Sequence, residues 1–110
     1  MEIQNIFGQK GIQSAKRFVS EYRFYLEGIP VEITIKLYES IQGYGYLFKQ
    51  SHFIHTPSQM GPYKTSEATG LSEEAAVERA LETFLLDYNG AIRGGYEPQE
   101  SWLVPNEKFY

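Results

Sequence analysis

Two histidines, a serine beside them and a set of glutamates are the side chains of this sequence best suited to chemistry. His52 and His55 stand three apart. On a helix that spacing shares a face; on a strand it does not. Phe53 and Ile54 between them and Pro57 after them read as strand or loop. Zinc is usually held by three or four His, Cys or carboxylate ligands. The chain has no Cys, and no carboxylate lies within ten residues of either histidine. A small enzyme or metal protein using His52 and His55 therefore starts with two ligands only. Ser51 precedes His52, but no Gly-x-Ser-x-Gly turn presents a nucleophile. Glu73 and Glu74 are neighbours, and neighbours on a helix point about 100° apart, so they cannot act as a facing acid–base pair. Gly43-Tyr44-Gly45 and Gly94-Gly95 lack the Lys-Ser/Thr ending of a phosphate loop. Catalysis is not expected, and neither is a cofactor.

Binding is the chemistry that remains. Glu74, Glu78 and Glu82 recur every four residues and form an acidic ridge along one helical face. Like charges so spaced cost about 0.2–0.5 kcal/mol per pair. The ridge is either a solvated face or a surface that steers a basic protein partner. The second candidate is aromatic. Nine Tyr, seven Phe and one Trp make up 15% of the chain, and Tyr is suited to binding surfaces because it brings area at low entropic cost. Tyr25 and Tyr38, with Arg23 and Lys36, are expected on the face of a sheet turned away from the core, where the two rings could meet. That face could be covered by a tail carrying Trp102, by a second copy in a homodimer or by a protein partner. It could also stack single-stranded nucleic acid on its tyrosines.

The elements that must carry these residues follow from periodicity. Residues 1–15 show no period and read as an irregular arm. Tyr22, Phe24 and Leu26 alternate with Arg23, Tyr25 and Glu27, the period of a half-buried strand. Gly28-Ile29-Pro30 breaks the pattern. Val31, Ile33, Ile35 and Leu37 then alternate with Glu32, Thr34, Lys36 and Tyr38, and the short link makes an antiparallel hairpin the economical pairing. Tyr44, Tyr46 and Phe48 mark a third strand, with Gly45 as a bulge or a close backbone approach. His52–His55 either extends it or forms a separate piece. Tyr63-Lys64-Thr65 is a candidate fourth strand after a loop marked by Pro57, Gly61 and Pro62.

Ser72 reads as a helix N-cap, with Glu73 and Glu74 favoured by the dipole in the first turn. Val77, Ala80, Leu81, Phe84, Leu85 and Tyr88 form its apolar stripe. Asn89-Gly90 reads as the stop, making a helix of about 16 residues. The tail from 91 is too apolar to float and is expected to pack back, with an edge strand at 101–104. The sum is an α+β fold: a small antiparallel sheet of three to four strands, one long helix on one face and an extended C-terminal tail.

With 110 residues, one domain is the natural reading. No apolar run approaches the roughly 20 residues of a membrane helix, and MEIQNIFGQKGIQ has no signal-peptide core. Cytoplasmic localisation and no membrane contact are the expectations. Residues 1–50 carry six basic against five acidic side chains, and residues 51–110 four against nine. An acidic chain lacks the overall footprint of a nucleic-acid binder.

Gly70-Leu71-Ser72-Glu73-Glu74-Ala75 leading to Ala80-Leu81-Glu82, after paired strands, resembles the HicB-type antitoxin fold over residues 31–88. That resemblance implies a small protein that binds and neutralises another protein, and it carries no site residue across. Double-stranded-RNA-binding domains share the sheet-then-helix order, but their helix opens with basic residues and this one opens with Glu73 and Glu74. The expected function is a non-catalytic protein-binding module, a regulator or inhibitor. The alternatives are a single-stranded nucleic-acid binder and the His52/His55 protein.

Overall fold

The computed structural model describes residues 2–65 and 68–109. A short helix α1 (Ile3–Phe7) precedes β1 (Lys16–Phe24), β2 (Ile33–Ser40), β3 (Tyr46–Gln50), β4 (His52–Ile54) and β5 (Thr69–Gly70). The long helix α2 (Glu73–Arg93) follows, then a single 3-10 turn at Glu100–Trp102 and β6 (Leu103–Pro105). One antiparallel sheet has the order β1-β2-β3-β5, and β4 pairs with β6 in a second, two-stranded sheet. The fold is α+β, with α2 against one face of the sheet.

β2 sets the faces. Ile33, Ile35 and Leu37 are at most 1% exposed, because their β-branched and leucine side chains all fall on the side that α2 covers. β1 begins at Lys16, earlier than its clearest alternation, and contains an irregularity. Phe18 pairs with Tyr38 but Ser20 pairs with Leu37, leaving Val19 as an extra residue. A one-residue bulge reverses the parity of everything on its far side. Tyr22 and Phe24 thus stay on the helix side, while Phe18 and Lys16 turn to the opposite face with Tyr38.

β3 starts at Tyr46, so Tyr44, expected inside the strand, instead lies 96% exposed in the preceding turn. His52–Ile54 is a separate piece that pairs with β6. The expected strand at Tyr63-Lys64-Thr65 is not formed; β5 at Thr69–Gly70 takes the fourth place. Tyr63 N–H bonds to the Ile54 carbonyl at 2.9 Å, and Gln59 fastens the loop before it. Its Oε1 accepts from Thr56 N–H at 2.7 Å, and its amide donates to the Ile54 and Gly61 carbonyls. β5 is brought close by glycine. A Cβ on Gly45 would sit 2.5 Å from the Gly70 carbonyl oxygen, and one on Gly70 would sit 2.5 Å from Ala76 N. Gly45 also has φ 83, which a side chain resists.

Ser72 caps α2 as expected, accepting from Ala75 N–H at 3.0 Å. The helix does not stop at Asn89-Gly90. It runs 21 residues, to Arg93, because Ala91, directly after the expected stop, is wholly buried in the core. The stop is Gly94-Gly95. Gly95 has φ 88, its N–H bonds to the Ile92 carbonyl and Tyr96 N–H to the Ala91 carbonyl, the paired bonds of a Schellman cap. The apolar stripe is also rotated from the expected one: Ala76, Thr83 and Ala91 are buried, whereas Leu85 is 40% exposed.

The core has two parts. Ile35, Leu37 and Phe48 pack on Ala76 and Ala80 near the start of α2. Ile33, Ile54 and Leu26 pack on Phe84, Tyr88 and Trp102 near its end. The tail packs back as expected, but its strand is Leu103–Pro105, and Trp102 joins the core edge-on to Tyr88 at 6.1 Å. Trp102 therefore does not cover the far face of the sheet. Among the described residues no helix is long and apolar enough to cross a membrane.

Candidate binding face of the sheet

The strand register places Lys16 and Phe18 of β1, Lys36 and Tyr38 of β2, and Leu47 and Lys49 of β3 together on the face away from α2. Phe18 and Tyr38 are direct cross-strand partners, with ring centroids 5.9 Å apart at 72°. Phe18 is 54% exposed. The Lys16 ammonium stands 4.9 Å from the Tyr38 ring centre, and that of Lys49 stands 5.9 Å from it. Further along the same face, Lys36 lies 4.8 Å over Phe109, which the tail delivers, and beside β4 of the second sheet Lys64 lies 5.4 Å over Phe53. Phe53 faces away from the core because its neighbour Ile54 turns into it.

Each exposed ammonium–ring contact is worth about 0.5–1 kcal/mol, weak enough to be exchanged for a contact with an anion. Lys16 and Lys49 form no ion pair among the described residues. Chemically, the face offers fixed positive charge around a half-exposed aromatic pair.

The residues anticipated for this face divide. Tyr38 and Lys36 lie in the cluster. Arg23 is on the same face, but its guanidinium is 2.7 Å from Glu21 Oε2. That hydrogen-bonded carboxylate, with the charge of Glu32 added, pushes the Arg23 pKa up. Tyr25 does not meet Tyr38. It lies past the end of β1, its hydroxyl 3.5 Å from Glu32, whereas Tyr38 pairs with Phe18 near the other end of the hairpin. Phe18 and Lys16 were hidden by the Val19 bulge. Lys49 was legible, since it alternates with the buried Phe48.

Glu74, Glu78 and Glu82 are all exposed on α2, on the opposite side of the molecule from the lysines. Glu78 and Glu82 border a shallow depression of about 520 Å³ with Tyr44, Leu71 and Arg79. The open sheet face thus carries Lys16, Lys36 and Lys49, with Glu21 held by Arg23 among them, and the helix carries the acidic ridge.

His52 Nδ1 is 2.8 Å from Ser51 Oγ. The same oxygen accepts from Thr34 N–H at 2.8 Å, so the hydroxyl bridges β2 to the β3–β4 junction. Among the described residues no carboxylate orients the imidazole, and burial pushes its pKa down. His55 Nε2 lies 3.3 Å from the Gln59 carbonyl. No three His, Asp or Glu side chains gather into a metal-binding set among the described residues. Ser51 and His55 are thus joined to backbone, His52 meets the Ser51 hydroxyl, and among the described residues that pair lacks the third group that orients a catalytic dyad.

Comparison with protein-family models, with curated proteins and with solved structures found no match to this chain.

Proposed function

We propose that this chain is a non-catalytic binding module that holds an anionic macromolecule against the open face of its sheet. The observation that carries this reading is the placement of Lys16 and Lys49 on either side of Tyr38, beside the half-exposed Phe18. Fixed cations of one sign steer an oppositely charged partner and raise its rate of encounter. A module of this kind acts by occupying its partner, as a regulator or inhibitor does.

The test is a titration of ¹⁵N-labelled protein with two polyanions, poly-glutamate and an oligonucleotide. Amide shifts clustered at residues 16–18, 36–38 and 47–49 are the expected result with at least one of them. Shifts confined to α2, or none with either polyanion, would end the reading.

A second reading concerns the acidic ridge. The depression beside Glu78 and Glu82 is rimmed by Tyr44, 96% exposed, and Leu71, 89% exposed. That combination suits a basic protein segment with an apolar side chain. Glu78→Lys with Glu82→Lys would abolish such binding and leave the sheet face unaffected.

A further inference from the structure

We infer that the occupant of the open sheet face is single-stranded nucleic acid, an inference that rests on the sheet-face reading above. An acidic protein would satisfy the lysines alone. The face also presents an aromatic pair on adjacent strands, Phe18 and Tyr38, in edge contact. With 54% of its surface open, Phe18 has a ring on which a base can stack, and a protein carboxylate has no use for it. Lys16 and Lys49 flank the pair at 4.9 and 5.9 Å from Tyr38, within reach of the phosphates on either side of a stacked nucleotide. Stacking on sheet aromatics flanked by cations is sequence-tolerant, because every base has a π-face. A duplex hides those faces in its own stack. The Glu74, Glu78 and Glu82 ridge does not oppose this, since it lies on the far side, and Glu21, the carboxylate across from Lys36 on this face, is paired with Arg23.

The experiment is fluorescence anisotropy with a short labelled oligothymidine, beside the same length of duplex and labelled poly-glutamate. Two phosphate contacts at about 0.7 each imply a log–log salt slope near −1.4. Affinity then falls about 7-fold between about 50 and about 200 mM salt. Lys16→Ala with Lys49→Ala should flatten that slope. Phe18→Leu keeps the bulk, loses the ring and should weaken binding about 5-fold or more. Duplex binding as tight as single-strand binding overturns the inference, as does single-strand binding indifferent to Phe18→Leu. Poly-glutamate binding without oligothymidine binding overturns it too, while leaving the sheet-face reading intact. Binding of neither defeats both. Self-association that buries residues 16–18 and 47–49 identifies a second copy as the occupant and likewise overturns it.

Discussion

The Tyr88 hydroxyl donates to the Glu27 backbone carbonyl at 2.6 Å, joining the late turns of α2 to the hairpin turn 61 residues earlier. The ring packs edge-on to Trp102 in the core, and its burial, with the Glu27 charge second, pushes the phenol pKa up. Tyr88→Phe keeps the packing and removes one hydrogen bond, leaving the carbonyl without that donor. The expected loss is about 1 kcal/mol. Tyr88→Ala also opens the core and should cost about 3–5 kcal/mol. Urea unfolding of the two variants measures both, and equal losses would show that the hydroxyl, not the ring, ties the helix down.

Two glycines next to helix residues should respond oppositely to alanine. Gly90 lies inside α2, and a Cβ there meets nothing nearer than an Arg93 guanidinium nitrogen at 3.9 Å. Gly90→Ala should stabilise by about 1 kcal/mol, the difference in helix propensity. A Cβ on Gly70 meets Ala76 N at 2.5 Å and Ala76 Cα at 2.7 Å. Gly70→Ala must push β5 off the helix, with a loss of about 1–3 kcal/mol or more. Thermal unfolding of the pair decides it: a Gly90→Ala protein less stable than the parent would contradict the helix continuing through that position.

Gly90 also shows where sequence reading ended. The helix start was legible because Ser72, Glu73 and Glu74 act locally, through a cap bond and a dipole. Its end was not, because Asn89-Gly90 is a sound local stop that burial of Ala91 outweighs. β2 was legible throughout, since its alternation is a direct image of one buried face. β5 could not be, as two residues carry no period and Gly70 is there to let the helix approach. The candidate site was half legible. Lys36 and Tyr38 follow from β2 alone, but Lys16 and Phe18 reach their side only through the bulge at Val19, which inverts the parity that Tyr22 and Phe24 suggest. The charge total concealed the rest, because the Glu74, Glu78 and Glu82 ridge lies on the side away from Lys16, Lys36 and Lys49.

Ser20 sits at that bulge with its Oγ buried and, among the described residues, without a hydrogen-bond partner. It pairs across to Leu37, on the helix side of the sheet. An unsatisfied buried hydroxyl costs about 1–3 kcal/mol. Ser20→Ala removes the polar group at little cost in volume and should raise stability by about 1 kcal/mol. Its effect on the sheet face should be nil, so oligothymidine affinity serves as the control. A destabilised Ser20→Ala protein would mean that the hydroxyl is satisfied by a bound water.

His52 should make the fold sensitive to mild acid. Burial lowers its pKa in the folded chain below the ordinary value of 6.5. Between the two pKa values the unfolded chain binds more protons than the folded one, so stability rises with pH across that window. The contribution is complete above about pH 6.5 and is lost as pH falls through the lower, folded value. Protonation also disfavours Nδ1 as an acceptor from Ser51 Oγ, 2.8 Å away, and that oxygen holds the Thr34 amide. The junction of β3 and β4 is therefore where the loss begins. Denaturant midpoints at about pH 7.5 and about pH 5.5 should differ in the parent chain, with the lower stability at the acid end. His52→Gln should shrink that difference. A parent chain equally stable at both values would show that the imidazole is solvated enough to titrate freely in the fold.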